Sequence, residues 1–240
     1  MKFIINECSA VIAANEYEKK IFSEFCDESK IVIVRNGVDL DILSAEKIDI
    51  KKKYNIGSFI LFLGRFNKVK GIDVLINAIN SIKNNSEFKK IQLLIMGVDF
   101  GYEKEMLRLI DEYKLQNKIK VIKNPSRKEV ISAYNESEFL VLPSRWELSP
   151  LTPLEGFAFK KSVISSNVHG IPYTVTHNVN GILVEPENHK ELANAITELL
   201  TDKNKRLAYG NAGYNLVDSI CNSTTMSKET LKVYEKTISG

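Results

Sequence analysis

The chain has 240 residues, of which 44% are hydrophobic and 26% are charged, and it is long enough for one full domain and an additional segment. Its formal net charge of +3 is too small for the dense basic surface of a nucleic-acid-binding protein. Three widely spaced cysteines without a C-x-x-C motif argue against a disulfide framework or a zinc site and favour the cytoplasm. No apolar run approaches the roughly 18 residues of a membrane span, which leaves only peripheral membrane contact open.

Short apolar runs alternate with amphipathic segments along the chain. The predicted strands are Ala10–Ala13, Ile31–Val34, Phe59–Leu63, Ile91–Met96, Lys118–Ile122, Phe139–Leu142, Ser162–Ser165 and Gly181–Val184. The predicted helices are Glu16–Phe25, Ile72–Ile82, Tyr102–Tyr113, Arg127–Asn135, Leu154–Phe159, Glu191–Leu200, Lys203–Leu216 and Ser227–Ile238. Several strand runs are apolar almost throughout, which is typical of a sheet covered on both faces. This order predicts an α/β fold with a doubly wound parallel sheet and two extra C-terminal helices.

Ligands of doubly wound sheets bind beyond the carboxyl ends of the strands, so we expect function in the loops that follow the strands. The segment Gly64–Gly71 lies between the strand Phe59–Leu63 and a helix, and it carries Arg65, Lys68 and Lys70. Backbone amides and cations at such a turn favour a bound phosphate. The segment has neither the P-loop motif nor G-x-G-x-x-G, and the loop alone leaves a solvated basic turn open as the alternative.

A second loop follows the strand Phe139–Leu142. Its pairs Ser149-Pro150 and Thr152-Pro153 predict a helix start, with serine or threonine as the N-cap and proline as the first helical residue. The amides of Leu151 and Thr152 then lie at a helix N-terminus, which forms a second site for an anion.

Two carboxylates flank this helix start. Glu147 lies in the loop, and Glu155 lies about one turn into the helix, where its oxygens can accept hydrogen bonds from sugar hydroxyls. A third loop, Ser166–Pro172, follows the next strand and forms another wall of the crevice. Two phosphate-binding turns and two carboxylates at one edge of a sheet predict a phosphorylated, hydroxyl-rich ligand.

These motifs, taken in order, resemble one known family, the family-four glycosyltransferases. Lys30–Asp39 resembles the family's interdomain strand and Asn-Gly-Val-Asp turn, and Gly64–Gly71 resembles its G-R-x(4)-K-G phosphate loop. Pro143–Glu155 resembles its P-S-x-x-E-x(7)-E signature, and Asn180–Pro186 resembles its N-G-x-L-V-x-P segment. Ser223–Ile238 resembles the closing helix that crosses back to the first domain. The resemblance implies the Rossmann-like, C-terminal half of the two-domain GT-B fold.

The resemblance also implies a role for each matching residue. Arg65 and Lys70 would hold the diphosphate of a nucleotide-sugar donor and stabilise the leaving nucleotide, and Glu147 would contact the donor sugar near the reacting carbon. Further donor contacts would come from Gly64, Pro125, Ser126, Ser149, Leu151, Thr152 and Glu155, with Glu155 on the ribose hydroxyls and Pro125 and Ser126 against the base. Family members need no metal or other cofactor, because arginine and lysine neutralise the diphosphate. They transfer a hexosyl-type group to an acceptor with retention of anomeric configuration.

The chain departs from the family pattern at three places. Leu148-Ser149-Pro150 replaces a frequent Gly-Phe-Gly, Tyr173 stands where glutamate is common, and Gly156 stands where alanine is usual. Proline at position 150 removes an amide donor and stiffens the loop, which bears on the fine geometry of phosphate binding.

The domain organisation is also an expectation from the resemblance. Residues 1–35 would be the remnant of an N-terminal acceptor domain with the interdomain strand, residues 36–222 the donor-binding domain, and residues 223–240 the crossover helix. With most of the acceptor domain missing, we expect exposed apolar surface on Ala10–Ala13 and on the last helix. An acceptor-domain chain, a second copy of this chain, or a changed fold of residues 1–29 would cover it.

Other functions remain open at this point. The chain is either the donor half of a sugar transferase, the donor subunit of a two-chain transferase, or a stand-alone module that binds a nucleotide sugar without transferring it. A nucleotide-sugar epimerase shares the two-Rossmann architecture, but the E-x(7)-E loop favours the transferase. A receiver-like interaction domain is disfavoured, because no acidic cluster follows the first strand.

Overall fold

The structure is a computed structural model that describes residues 2–239. Met1 of the predicted unit 1–35 and Gly240 of the predicted unit 223–240 lie outside the described residues. The strands within this range are β1 Val11–Ala13, β2 Ile31–Ile33, β3 Phe59–Leu63, β4 Gln92–Gly97, β5 Ile119–Lys123, β6 Leu140–Leu142, β7 Val163–Ser166 and β8 Gly181–Val184. The α-helices are α1 Lys2–Glu7, α2 Glu16–Phe22, α3 Ile50–Tyr54, α4 Ile72–Ile82, α5 Glu103–Glu112, α6 Arg127–Glu136, α7 Leu151–Ala158, α8 His189–Thr201, α9 Lys203–Ser219 and α10 Ser223–Ser239.

The main sheet has six parallel strands in the order β5-β4-β3-β6-β7-β8. The chain enters at the centre with β3, runs outward through β4 and β5, and then returns to the other side of β3 with β6. The predicted doubly wound α/β fold is therefore confirmed. Because the winding direction reverses between β3 and β6, a crevice opens beyond the carboxyl ends of these two strands. We call its two walls the β3 loop (residues 64–71) and the β6 loop (residues 143–150).

Helices cover both faces of the sheet, which explains why β3 is apolar throughout. Ile60 and Phe62 pack in a buried cluster with α4, α5 and α8, whereas Phe59 and Leu61 pack on the opposite face with α6 and α7. Successive side chains of a strand point to opposite faces, so a strand between two helical layers needs an apolar residue at every position. Burial of each such side chain contributes about 1.5–3 kcal/mol, which anchors the strand that leads into the β3 loop.

Two helix starts differ from the sequence prediction. Helix α7 begins at Leu151, and Pro150 is its N-cap in extended conformation instead of its first helical residue. The hydroxyl of Ser149 does not cap this helix but accepts a hydrogen bond from Asn36 at 2.9 Å. Helix α10 begins at Ser223, because Oδ1 of Asn222 accepts a hydrogen bond from the amide of Thr225 at 2.8 Å. The asparagine side chain thus caps a helix that begins four residues before the predicted start at Ser227.

The N-terminal part of the chain forms a separate two-stranded parallel sheet of β1 and β2. The turn that follows β2 is held by the start of α10: the amide of Val38 donates to the carbonyl of Cys221 at 2.9 Å, and the amide of Ser223 donates to the carbonyl of Val38 at 3.0 Å. The first and last segments of the described chain thus meet beside the main sheet.

The small sheet and α10 expose apolar side chains, as expected for Ala10–Ala13 and the last helix. Ile12, Leu231, Tyr234 and Ile238 are all exposed. A groove between the two elements is lined in part by Ala10, Val32 and Val233. What covers this surface stays a prediction. Within residues 2–239, no helix combines the length and the apolar character that crossing a bilayer requires.

Candidate functional site

The β3 loop and the β6 loop face each other across the crevice, and they carry most of the residues singled out from the sequence. Gly64, Arg65 and Lys70 follow β3, while Glu147 and Ser149 follow β6. Leu151, Thr152 and Glu155 lie on α7, directly after the β6 loop. Pro125 and Ser126 follow β5, which lies at the edge of the sheet, two strands away from β3.

The β3 loop is fixed in place from both of its ends. Phe66 is fully buried, and its amide donates to the carbonyl of Val98 at 2.8 Å. Asn67 closes a short 3-10 turn by accepting a hydrogen bond from the amide of Lys70 at 3.1 Å through its side chain. Gly71 then adopts a φ of +66°, which turns the chain into α4. Lys70 is thus presented from a rigid turn at the N-terminal end of a helix.

Glu147 is the residue of the β6 loop that contacts the β3 loop. Its Oε1 atom forms an ion pair with Nζ of Lys70 and accepts a hydrogen bond from the hydroxyl of Ser144 at 2.9 Å. The two charged side chains are only 16% and 14% exposed, so solvent screens this pair less than a surface pair. The structure therefore brings together a cation and a carboxylate that the sequence placed on separate loops.

Glu155 lies on α7, and its carboxylate is held by a hydrogen bond from a buried tyrosine. The hydroxyl of Tyr134, on α6, donates to Oε2 of Glu155 at 2.5 Å. Tyr134 is fully buried, and burial together with the neighbouring charge of Glu155 raises the pKa of Tyr134 well above its ordinary value. Tyr134 consequently stays a hydrogen-bond donor at all physiological pH values and orients the carboxylate.

The N-terminus of α7 faces the crevice. The amides of Leu151 and Thr152 are in its first turn, and within the described chain neither donates a hydrogen bond to a backbone or side-chain acceptor. Such amides, together with the helix dipole, favour an anion. Ser149, just before the helix, is held by Asn36, whose amide group donates to its carbonyl at 3.1 Å.

Arg65 is exposed at the opposite end of the β3 loop from Lys70. Its guanidinium lies over the ring of Phe100 at 5.2 Å from the centroid. This is a cation–π contact on an exposed side chain, worth about 0.5–1 kcal/mol, so Arg65 can leave it for an anionic ligand at little cost.

Ser126 is the N-cap residue of α6, directly after Pro125. The hydroxyl and the amide of Ser126 each lie 2.7 Å from Oε2 of Glu129, and the amide of Glu129 donates back to the Ser126 hydroxyl, which forms a capping box. The hydroxyl of Ser126 is therefore occupied, and a base at this end of the sheet would meet the half-buried ring of Pro125.

Arg145 is a prominent residue of the β6 loop that the sequence did not assign to the site. Its guanidinium forms two hydrogen bonds of 2.8 Å with Asp73 in the first turn of α4. It also contacts Glu187, beyond β8, at 2.5 and 2.9 Å. The signal that points to Arg145 and Glu187 is their position, because each is a charged residue three positions after the end of a strand of the main sheet.

The N-terminal segment also reaches the crevice. The buried side-chain amide of Asn15 donates to the carbonyl of Leu148 in the β6 loop at 2.8 Å. Oη of Tyr17 lies 2.7 Å from Nδ1 of His169, in the loop after β7. The ring of His169 in turn lies 6.0 Å from that of Trp146, which is half exposed beside Glu147. Residues from outside the main sheet therefore help to shape one wall of the site.

Comparison with known proteins places this fold and site in a family. The family model described as "Glycosyl transferases group 1" matches residues 44–216, which is most of the chain. The chain belongs to the group 1 glycosyl transferases. An uncharacterised glycosyltransferase of Methanocaldococcus jannaschii is 31% identical over 215 residues, which are 88% of this chain and 55% of that protein.

Solved structures share the fold over nearly all of this group 1 chain. A glycosyltransferase from Rickettsia africae matches with a TM-score of 0.87 and 26% identity, covering 99% of this chain and 66% of that one. The Anabaena protein HepE, solved in complex with UDP-glucose, matches with a TM-score of 0.86, covering 98% of this chain and 66% of that one. Its 20% identity shows the fold alone. The chain spans about half the length of the curated relatives it matches.

Proposed function

We propose that this chain binds a nucleotide-diphosphate sugar between the β3 loop and the β6 loop, as the donor-binding part of a hexosyltransferase that retains anomeric configuration. The observation that carries the proposal is the ion pair of Lys70 and Glu147, which joins the two loops at the topological switch point. Support also comes from the family, and from the complex of HepE with UDP-glucose, a protein of the same fold. Retention rests on the likeness of Pro143–Glu155 to the family-four signature.

The chemistry of the crevice suits each part of such a donor. Lys70, Arg65 and the first amides of α7 would surround the diphosphate and stabilise the negative charge that grows on it as the sugar departs. Glu155, already oriented by Tyr134, would accept hydrogen bonds from the ribose hydroxyls. Glu147 would accept a hydrogen bond from a hydroxyl of the transferred sugar. None of these roles calls for a group other than those that the chain itself provides.

The ion pair also suggests an order of events on binding. Lys70 is paired with Glu147, so neither charge is left uncompensated in a partly buried site. The incoming diphosphate would take Lys70 as its partner, and the carboxylate of Glu147 would then turn to the sugar. A diphosphate without a sugar would leave Glu147 beside an anion, which favours the complete donor over the product nucleotide.

Calorimetry with uridine-, guanosine- and adenosine-diphosphate sugars tests the proposal. We expect saturable binding of at least one of them, and we expect Lys70→Ala to weaken it by about 10–100-fold, the effect of removing one charge-assisted contact of about 1.5–3 kcal/mol. Lys68→Ala is the matched control, because Lys68 lies in the same loop with an exposed side chain. An unmodified chain that binds none of these donors, or equal losses in the two variants, would contradict the proposal.

The division of the chain is part of the same proposal. Residues 36–222 would hold the donor, whereas residues 1–35 and 223–240 would form the side that meets an acceptor-binding unit. The exposed apolar side chains of α10 and the separate sheet of β1 and β2 support this assignment. We further propose that an acceptor-domain partner or a second copy of the chain covers this side.

A further inference from the structure

Arg145 contacts the β3 loop and the start of α4 through both its side chain and its backbone. Besides its two hydrogen bonds to Asp73, its guanidinium donates to the carbonyl of Lys68 at 2.5 Å, and its own amide donates to the carbonyl of Val69 at 2.7 Å. Lys68 and Val69 directly precede Lys70, and Asp73 follows it by less than one helical turn. Arg145 therefore holds the chain on both sides of Lys70.

The same residue is tied to Glu147. Arg145 lies two positions before Glu147 and directly after Ser144, whose hydroxyl donates to Glu147 Oε1 at 2.9 Å. The backbone that carries Glu147 and the backbone that carries Lys70 are thus joined at Arg145, through its guanidinium and through its own amide. We call this set of contacts, from Arg145 to Lys68, Val69 and Asp73, the Arg145 bridge.

The environment of the Arg145 bridge favours a firm connection. The side chains of Arg145 and Asp73 are only 19% and 22% exposed, so solvent competes weakly for their hydrogen bonds. Burial by itself would raise the pKa of Asp73, but the hydrogen bonds and the charge of Arg145 outweigh it and hold that pKa below its usual range. A guanidinium paired in parallel with a carboxylate also fixes an orientation, which a single-point ammonium does not.

We propose that Arg145 is a positioning residue that sets the placement of Lys70 relative to Glu147, and hence the fit of the crevice to a diphosphate. The inference rests on the proposed function for the identity of the ligand. Arg145 itself does not touch the ligand: its guanidinium is taken up by Asp73, Glu187 and the carbonyl of Lys68. Its effect on binding is therefore exerted through Lys70.

The test is a double-mutant cycle on the full chain, in which calorimetry measures the binding of UDP, GDP and ADP. Arg145→Lys keeps the charge but removes the pair of parallel hydrogen bonds to Asp73. We expect it to weaken the binding of the best-bound nucleotide by about tenfold or more, because small displacements of a contacting group are costly. In a Lys70→Ala background the same change would alter affinity by less than about twofold, since the residue that it positions is gone. Equal effects in the two backgrounds would overturn the proposal.

A second measurement needs no ligand and separates this inference from the proposed function. Hydrogen exchange of the amides of Val69, Lys70 and Gly71 would become about tenfold faster in Arg145→Lys, while the melting temperature of the whole chain stays close to that of the unmodified protein. Arg108→Lys is the matched control, because Arg108 forms a comparable fork with Glu105 on the exposed face of α5. Unchanged exchange in the β3 loop would overturn the positioning role, whereas a chain that binds no nucleotide would overturn only the proposed function.

Discussion

A single oxygen of Glu147, Oε1, pairs with the ammonium of Lys70 and accepts the hydrogen bond from Ser144. These two contacts determine how a substitution of Glu147 would change ligand binding. The carboxylate neutralises the cation that the diphosphate of the proposed donor would use. The same carboxylate would repel that diphosphate once it is bound, unless a sugar hydroxyl lies between them. Glu147 is therefore expected to oppose the binding of a bare nucleotide and to favour the binding of the complete donor.

Glu147→Gln separates these two effects. We expect the variant to bind the nucleoside diphosphate as well as the unmodified chain or up to about tenfold tighter, because a competing negative charge is removed beside Lys70. Affinity for the nucleotide sugar would gain less or fall. Calorimetry with the two ligands measures the difference, and Glu185→Gln, at an exposed position beyond β8, is the control. A parallel loss of affinity for both ligands would show that Glu147 supports the nucleotide itself.

Motifs locate the charged residues of the site better than the residues that orient them. Arg65, Lys70 and Glu155 stand out because each is next to a glycine, and Glu147 stands out because it lies eight positions before Glu155. Tyr134 and Asp73 lie inside ordinary amphipathic helices, and their partners are distant in sequence, so no local pattern reveals them. Arg145 was visible as a charge at the end of a strand, but its pairing depends on how the β3 and β6 loops approach each other.

At the scale of elements, the junction of β3 and α4 shows how closely the two loops pack. Gly71 has a φ of +66°, and a Cβ atom at this position would lie 1.9 Å from the carbonyl oxygen of Pro143, in the β6 loop. Only glycine fits, for reasons of backbone conformation and of space. The turn therefore fixes the separation of the crevice walls at the level of the backbone.

Gly71→Ala is expected to destabilise the chain by about 2–4 kcal/mol, because it combines a left-handed backbone with a steric overlap in a packed region. Gly57→Ala provides the control: no atom lies within 4 Å of the position that its Cβ would take. Its stability would change by less than about 1 kcal/mol, in either direction. Urea denaturation of both variants measures the difference, and similar midpoints would contradict the close approach described above.

Helix α6 depends on a charged cap, which makes its stability sensitive to acid. Hydrogen bonds from Lys53, Tyr54 and Ser126 lower the pKa of Glu129 to about 2, although burial opposes the shift. A carboxylate whose pKa is lower in the folded state stabilises the fold above its ordinary pKa. That contribution is lost as the pH falls from about 4.5 towards about 2.

Glu129→Gln should therefore lower the free energy of unfolding by about 1–2 kcal/mol at neutral pH, through the loss of the 2.8 Å ion pair with Lys53 and of the negative charge that accepts the hydrogen bonds from Tyr54 and Ser126. The gap between the variant and the unmodified chain is expected to narrow below about pH 4.5, because the carboxylate of the unfolded unmodified chain then becomes protonated. Urea midpoints at neutral pH and at about pH 3 provide the comparison. A gap that does not change with pH would refute this account.

The regular elements were predictable from sequence to the extent that their periodicity is local. Phe59–Leu63, Ile72–Ile82 and Gly181–Val184 have the predicted bounds, since apolar runs and amphipathic spacing define them. The start of α7 was wrong because Ser149 bonds to Asn36 from another part of the chain, which leaves Pro150 as the N-cap. Cap residues are chosen by tertiary contacts as well as by local preference.

At the scale of the whole molecule, the exposed apolar side of α10 bears on whether the chain associates with itself or with a partner in solution. Leu231 and Tyr234 are 55% and 59% exposed and lie three positions apart, so they share one face of the helix. Ile238 lies seven positions after Leu231 and shares that face, and such a row of exposed apolar side chains is typical of an interaction site.

We expect the isolated chain to self-associate through this face as its concentration rises. In light scattering, the apparent mass would exceed the 27.2 kDa of one chain, and the double substitution Leu231→Glu and Tyr234→Lys would restore that mass. Replacement of Lys236 by Glu, on the same helix, is the control for charge alone. An unmodified chain that stays at the mass of one copy at all concentrations would argue against a missing partner.

The strand order also has a bearing on how the protein reaches its native state. β3, β4 and β5 are close together along the chain, and so are β6, β7 and β8, whereas pairing β3 with β6 closes a far longer loop. Each half of the sheet can assemble early from its near neighbours, and the crevice lies on the seam between the halves. During refolding from denaturant, the proposed binding of a nucleotide is therefore expected to emerge after most backbone hydrogen bonds have formed.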